Sequence, residues 1–123
     1  MTMRIIAAIF LLAAVLSGPA AVRAHAFLDH SDPAVGSTVP TAPAELHIWF
    51  TQELEPAFSS IQVTDKSGAP VNDGPSAVDP NNKQEMDIKL KPLQGGTYTV
   101  KWHALSVDTH TTQGDFTFQV KGS

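Results

Sequence analysis

Five runs of the sequence place apolar residues at every second position, clusters of Pro, Gly, Asn and Asp separate those runs, and no helical pattern of ten or more residues follows the first two dozen. Together these predict an all-β domain: a Greek-key sandwich or barrel of cupredoxin-like or immunoglobulin-like topology, after a cleaved leader. The 123 residues leave no room for a second domain.

The leader comes first. Met1 to Arg4 carry one positive charge, Ile5 to Leu16 form an uninterrupted apolar run of 12 residues, and the small, proline-broken stretch from Ser17 ends in Val22-Arg23-Ala24. This is the pattern of a secretory signal peptide over residues 1–24, cut after Ala24. A retained membrane anchor is the alternative, but spanning needs ~20 apolar residues and Gly18-Pro19 breaks the helix. The β domain then covers 25–123, is exported, and is not embedded in the membrane.

In the exported part, Leu46, Ile48 and Phe50 alternate with His47 and Trp49, and Ile61 and Val63 flank Gln62. Met86, Ile88 and Leu90 alternate with Asp87 and Lys89; Tyr98, Val100 and Trp102 with polar partners; Phe116, Phe118 and Val120 with Thr117 and Gln119. Each run reads as a strand with one face in the core. Turn residues stand between them at Asp32-Pro33, Thr41-Ala42-Pro43, Lys66-Ser67-Gly68, Asp73-Gly74-Pro75, Asp79-Pro80-Asn81-Asn82 and Gln94-Gly95-Gly96. Asn72 to Gln84 is the longest unpatterned stretch and reads as a surface loop, and Asp29-His30-Ser31-Asp32 as a polar turn.

Composition narrows the chemistry. The absence of cysteine excludes disulfides, thiolate zinc sites, iron–sulfur clusters and cysteine nucleophiles. The net charge of −4 becomes −6 once Arg4 and Arg23 leave with the leader, which argues against nucleic-acid binding. Metal ligands must therefore come from five histidines, the carboxylates and Met86.

The histidines differ in promise. Cleavage after Ala24 gives His25 a free α-amine beside its ring, two nitrogens that chelate one ion and suit square-planar Cu(II). Asp108 and His110, two apart in Ser106-Val107-Asp108-Thr109-His110, share a side if that stretch is extended. An Asp-x-His pair on a surface strand is also ordinary solvated decoration. His47 and Trp49 read as a half-exposed sheet face, His103 as a surface residue or a neighbour of the ligands, and His30 as able to approach only if the chain folds back. Met86 reads as core rather than ligand.

His25-Ala26-Phe27-Leu28, Ser31-Asp32-Pro33-Ala34, Ala42-Pro43-Ala44-Glu45-Leu46 leading to Phe50, the Ser106 to His110 motif and Gly114-Asp115-Phe116-Thr117-Phe118-Gln119-Val120 together resemble the periplasmic copper-resistance protein CopC family, over essentially the whole exported part. The resemblance implies a small cupredoxin-like β domain, a monomer in the periplasm, that binds Cu(II) in copper resistance or homeostasis beside a CopD-type inner-membrane copper transporter. The ligands it implies are His25 through amine and ring, Asp108, and His110. Three departures stand out. Only Met86 represents the methionine-rich Cu(I) region of some members, so a Cu(II)-only protein is expected. The common Phe-Ser-Glu reads Phe50-Thr51-Gln52, putting a neutral amide where a carboxylate can lie near copper, with Glu53 and Glu55 close by. Thr109 replaces a glycine between the Asp and His, which disfavours a positive φ there.

The expected activity is capture, not catalysis. Model amines titrate near ~7.8 and imidazoles near ~6.5, so protons leave as copper enters and acid releases the metal. Thr111, Thr112, Gln113 and Asp115 are available to orient the ligands. Two other readings are a histidine-brace copper oxidase acting on polysaccharide and a metal-free immunoglobulin-like interaction module. The first lacks a broad aromatic face, since most of the nine aromatic residues fall on core positions.

Overall fold

The computed structural model describes residues 26–122; the leader and His25 lie outside the described residues. Eight strands follow in order: β1 (Leu28–Asp32), β2 (Thr38–Val39), β3 (Glu45–Phe50), β4 (Ser60–Thr64), β5 (Ala77–Asp79), β6 (Asn82–Lys89), β7 (Gly96–Leu105) and β8 (Thr111–Val120). The helical component among the described residues is one short 3-10 turn, Pro56–Phe58. The strands form two four-stranded sheets, β1-β3-β6-β5 and β2-β8-β7-β4, so the sandwich form of the expected fold is the one adopted.

The alternation in the sequence becomes the burial pattern. Leu46, Ile48 and Phe50 from β3 with Met86 and Ile88 from β6 face Ile61, Val63, Tyr98, Val100, Trp102, Phe116, Phe118 and Val120 of the other sheet in one contiguous core. Tyr98 and Phe118 stack with ring centroids 5.5 Å apart, and Phe50 meets Trp102 edge-on at 5.2 Å. The Tyr98 hydroxyl donates to the Gln94 carbonyl at 2.6 Å, satisfying the polar tip of a buried ring.

Two expectations give way. The Asn72 to Gln84 stretch holds β5 and the start of β6, joined at a turn in which the Asn81 amide donates to Asp79 Oδ1 at 2.7 Å. Val78, opposite Met86, is its single β-branched signal, too little to register as alternation. His30 lies on β1, a strand paired with β3, and not in a turn: the register bulges between Leu28 and His30, breaking the alternation that would have revealed it.

The longest pairing is β7 with β8, running from Gly96 opposite Val120 to Leu105 opposite Thr111. This hairpin is the stalk that carries the Ser106 to His110 turn at its end.

Candidate metal centre

The turn between β7 and β8 is folded tightly, not extended. The Ser106 amide donates to the His110 carbonyl at 3.0 Å and the Thr109 amide to the Ser106 carbonyl at 2.8 Å. Its two candidate ligands nevertheless converge, with His110 Nδ1 3.4 Å from Asp108 Oδ1 and both side chains about half exposed. Closure of the turn, rather than strand alternation, puts them side by side.

Ser106, the first residue of the sequence motif and not itself a candidate ligand, organises this turn. It is 1% exposed, and its hydroxyl bonds to Asp108 Oδ1 and lies 3.3 Å from both the amide nitrogen and the carbonyl oxygen of His110. That bond is the largest influence holding the Asp108 carboxyl below its ordinary range, assisted by the hydrogen bond and charge of His110. Asp108 is thus kept as an anion, the form a metal needs.

Thr109 sits at the apex with φ 73°, in the left-handed region despite its branched Cβ. A β-branched residue there costs ~1–2 kcal/mol, partly offset in a glycine replacement by the freedom glycine loses on folding. Thr109→Gly is therefore expected to stabilise the domain by about 1 kcal/mol, a rise of ~4–8 °C in Tm by calorimetry. An unchanged or lower Tm would show that the turn carries no such strain.

The first described residues are tied to the same end of the sandwich. Thr112, on the hairpin just beyond His110, donates through its hydroxyl to the Ala26 carbonyl. The Phe27 amide donates to Thr51 Oγ1 at 3.0 Å, and the Thr51 amide to the Phe27 carbonyl at 2.9 Å. Ala26 is fully buried. The segment after β3 also joins: Leu54 bridges Ser106, the Val107 amide donates to the Glu53 carbonyl at 3.0 Å, and the Glu55 amide to the Leu105 carbonyl at 2.8 Å. The stretch carrying Gln52, Glu53 and Glu55 therefore lies against the turn through its backbone. Of Thr111, Thr112, Gln113 and Asp115, Thr112 makes the bond to Ala26, whereas Asp115 pairs in register with Lys101.

The other histidines are placed elsewhere. His103 is exposed, with Nδ1 3.1 Å from the Phe58 carbonyl. His30 stacks on Trp49, centroids 4.5 Å apart and planes within 6°. His47 is in company the sequence did not reveal: its Nδ1 lies 2.6 Å from Asp87 Oδ1 and 3.4 Å from Glu85 Oε2, and its Nε2 3.6 Å from Glu45 Oε1. Partial burial pulls the His47 ring down, but the hydrogen bond and charge of Asp87, with the charges of Glu45 and Glu85, outweigh it and raise the imidazole above its ordinary value. Met86 is fully buried in the core, as expected.

Residues 28–121 match the CopC domain. The chain belongs to the CopC family. It is 36% identical over 101 residues to the protein YobA of Escherichia coli K12, covering 81% of this chain and 82% of that one. It is 32% identical over 98 residues to the copper transport protein CutJ of Bacillus subtilis, spanning 79% of this chain but 18% of CutJ. The crystal structure of PcoC, a methionine-rich copper resistance protein from Escherichia coli, superposes with a TM-score of 0.70 at 36% identity, covering 80% of this CopC-family chain and 100% of PcoC. No helix among the described residues is long and apolar enough to cross a membrane.

Proposed function

We propose that this chain is a periplasmic Cu(II)-binding protein that captures and carries copper in resistance or homeostasis, with copper as cargo held by His25 through its amine and ring, by Asp108 and by His110. The observation that carries this reading is the meeting at one end of the sandwich of the anchored Ala26, covalently next to His25, and the Asp108–His110 pair. Amine, imidazole, imidazole and carboxylate make an N3O set that favours Cu(II) both by geometry and by the divalent affinity order. Restriction to Cu(II) is supported by Met86, the single thioether beyond the leader, being sealed in the core, in contrast to the methionine-rich PcoC. CutJ, a copper transport protein in which a segment like this chain is a small part, supports a CopD-type inner-membrane copper transporter as the partner. The monomeric protein has no role in nucleic-acid binding.

The test is a Cu(II) titration followed by electron paramagnetic resonance on two forms, one beginning at a free His25 and one extended by a few residues. Stoichiometric binding with a tetragonal, nitrogen-rich signal, weakened in the extended form, is the expected result. Equal and weak binding in both would remove the amine chelate and favour a metal-free interaction module.

A further inference from the structure

The β1-β3-β6-β5 sheet buries one face against the core and turns the other outward. Pairing of β3 with β6 sets His47 directly opposite Asp87 and Trp49 opposite Glu85, so strand alternation brings His47, Trp49, Glu85 and Asp87 onto the outer face together. Ligand atoms of His47, Glu85 and Asp87 all lie within 4.8 Å of one another. Trp49 fixes the arrangement: its indole N–H donates to Glu85 Oε1 at 3.1 Å, leaving Oε2 turned toward His47.

We propose that His47, Glu85 and Asp87 form a second divalent-cation site, taking a borderline transition ion, Cu(II) first, through one imidazole nitrogen and two carboxylate oxygens. At metal–ligand bonds of ~2.0–2.2 Å, neighbouring ligand atoms stand roughly 3.0–3.5 Å apart. Of the separations around His47 Nδ1, 3.4 Å falls within that range and 2.6 Å lies just below it, so small side-chain rotations suffice. All three side chains are partly exposed, and a depression of about 420 Å³ lined by Glu45, Asp87 and Lys89 opens beside Asp87, giving room for water at that ligand. The cluster already attracts positive charge. The hydrogen bond shared with Asp87, partial burial and the charges of Asp87 and Asp79 raise the Glu85 carboxyl above its ordinary range, against the opposing pull of His47. Metal binding there displaces whatever protons these groups carry. The site is built on the opposite sheet from the β7–β8 turn, so it fills independently of the site proposed for His25, Asp108 and His110.

The experiment is a Cu(II) titration of the 15N-labelled chain beginning at His25, read residue by residue through paramagnetic broadening. Two equivalents are expected, the second broadening amides of 45–49 and 85–87. His110→Ala should still take one equivalent at those positions. His47→Gln and Asp87→Asn, both on the outer face and outside the core, should each abolish the second equivalent while leaving the broadening around 106–112 intact. The proposal is overturned if the wild-type titration ends at one equivalent confined to the turn, or if His47→Gln leaves the second unchanged. Because Cu(II) heads the first-row divalent affinity order, its failure to bind there also counts against the other first-row ions at this site. Loss of binding at the turn with retention at 45–49 and 85–87 would instead defeat the function proposed above and sustain this one.

Discussion

Replacing His110 by alanine is expected to lower the Cu(II) affinity of the β7–β8 end by about 100-fold or more, and to change the remaining signal from nitrogen-rich toward oxygen-rich. The magnitude follows from what weaker perturbations do: loss of a residue that merely orients a ligand costs about 10–100-fold, and removal of a ligand lies at or beyond that range. Isothermal titration calorimetry on the chain starting at His25, fitted with the outer-face site held constant by His47→Gln in both proteins, measures the difference directly. Ser106→Ala supplies the internal scale. It removes no metal-binding atom but frees Asp108 from the hydroxyl that holds it in place, so its loss should fall inside the 10–100-fold interval. If His110→Ala and wild type bind alike, the turn is not the copper site, whatever the family relationship.

How far such a site can be read from a sequence depends on the range of the interactions that build it. Strand alternation is local, so β3, β4, β6, β7 and β8 were legible wherever two or three apolar residues recurred at period two. The strand β1 was not, because its bulge between Leu28 and His30 breaks the period, nor was β5, whose three residues carry one signal in Val78. Asp108 and His110 were legible as a pair through their spacing, but the reason they meet is a turn closed by Ser106, which the motif contains without revealing its buried hydroxyl's role. The expectation that Thr109 would avoid a positive φ also follows from local preference alone. The hairpin fixes Leu105 opposite Thr111, and the short connection between them is closed with Thr109 at φ 73°. The His47, Glu85 and Asp87 cluster was out of reach for a different reason. Glu85 and Asp87 share a strand face by spacing, but only the register of β3 on β6, set by packing of Leu46, Ile48, Met86 and Ile88 beneath, places His47 across from them.

The largest effect on stability is expected from Phe118→Ala, which should cost about 3–5 kcal/mol, a substantial share of the ~5–15 kcal/mol that holds a domain of this size together. Phe118 is fully buried on β8, stacked on Tyr98 directly across the hairpin, and its ring fills the space between the sheets where no neighbour can collapse without disturbing that pairing. Thermal unfolding should show the Tm lower by more than ~12 °C, whereas Phe58→Ala, at a position 64% exposed, should leave it nearly unchanged. The same variant links the core to the proposed metal centre, since the hairpin that Phe118 anchors is the one carrying the Asp108–His110 turn. A ligand that binds only the folded chain stabilises it by about 4 kcal/mol when present at ~1,000 times its Kd. Saturating Cu(II) should therefore restore most of the Tm lost in Phe118→Ala when the chain begins at a free His25, and restore much less when His110→Ala is added. Equal rescue in both would place the stabilising copper somewhere other than the turn, and absence of rescue in either would mean that copper does not distinguish the folded chain from the unfolded one.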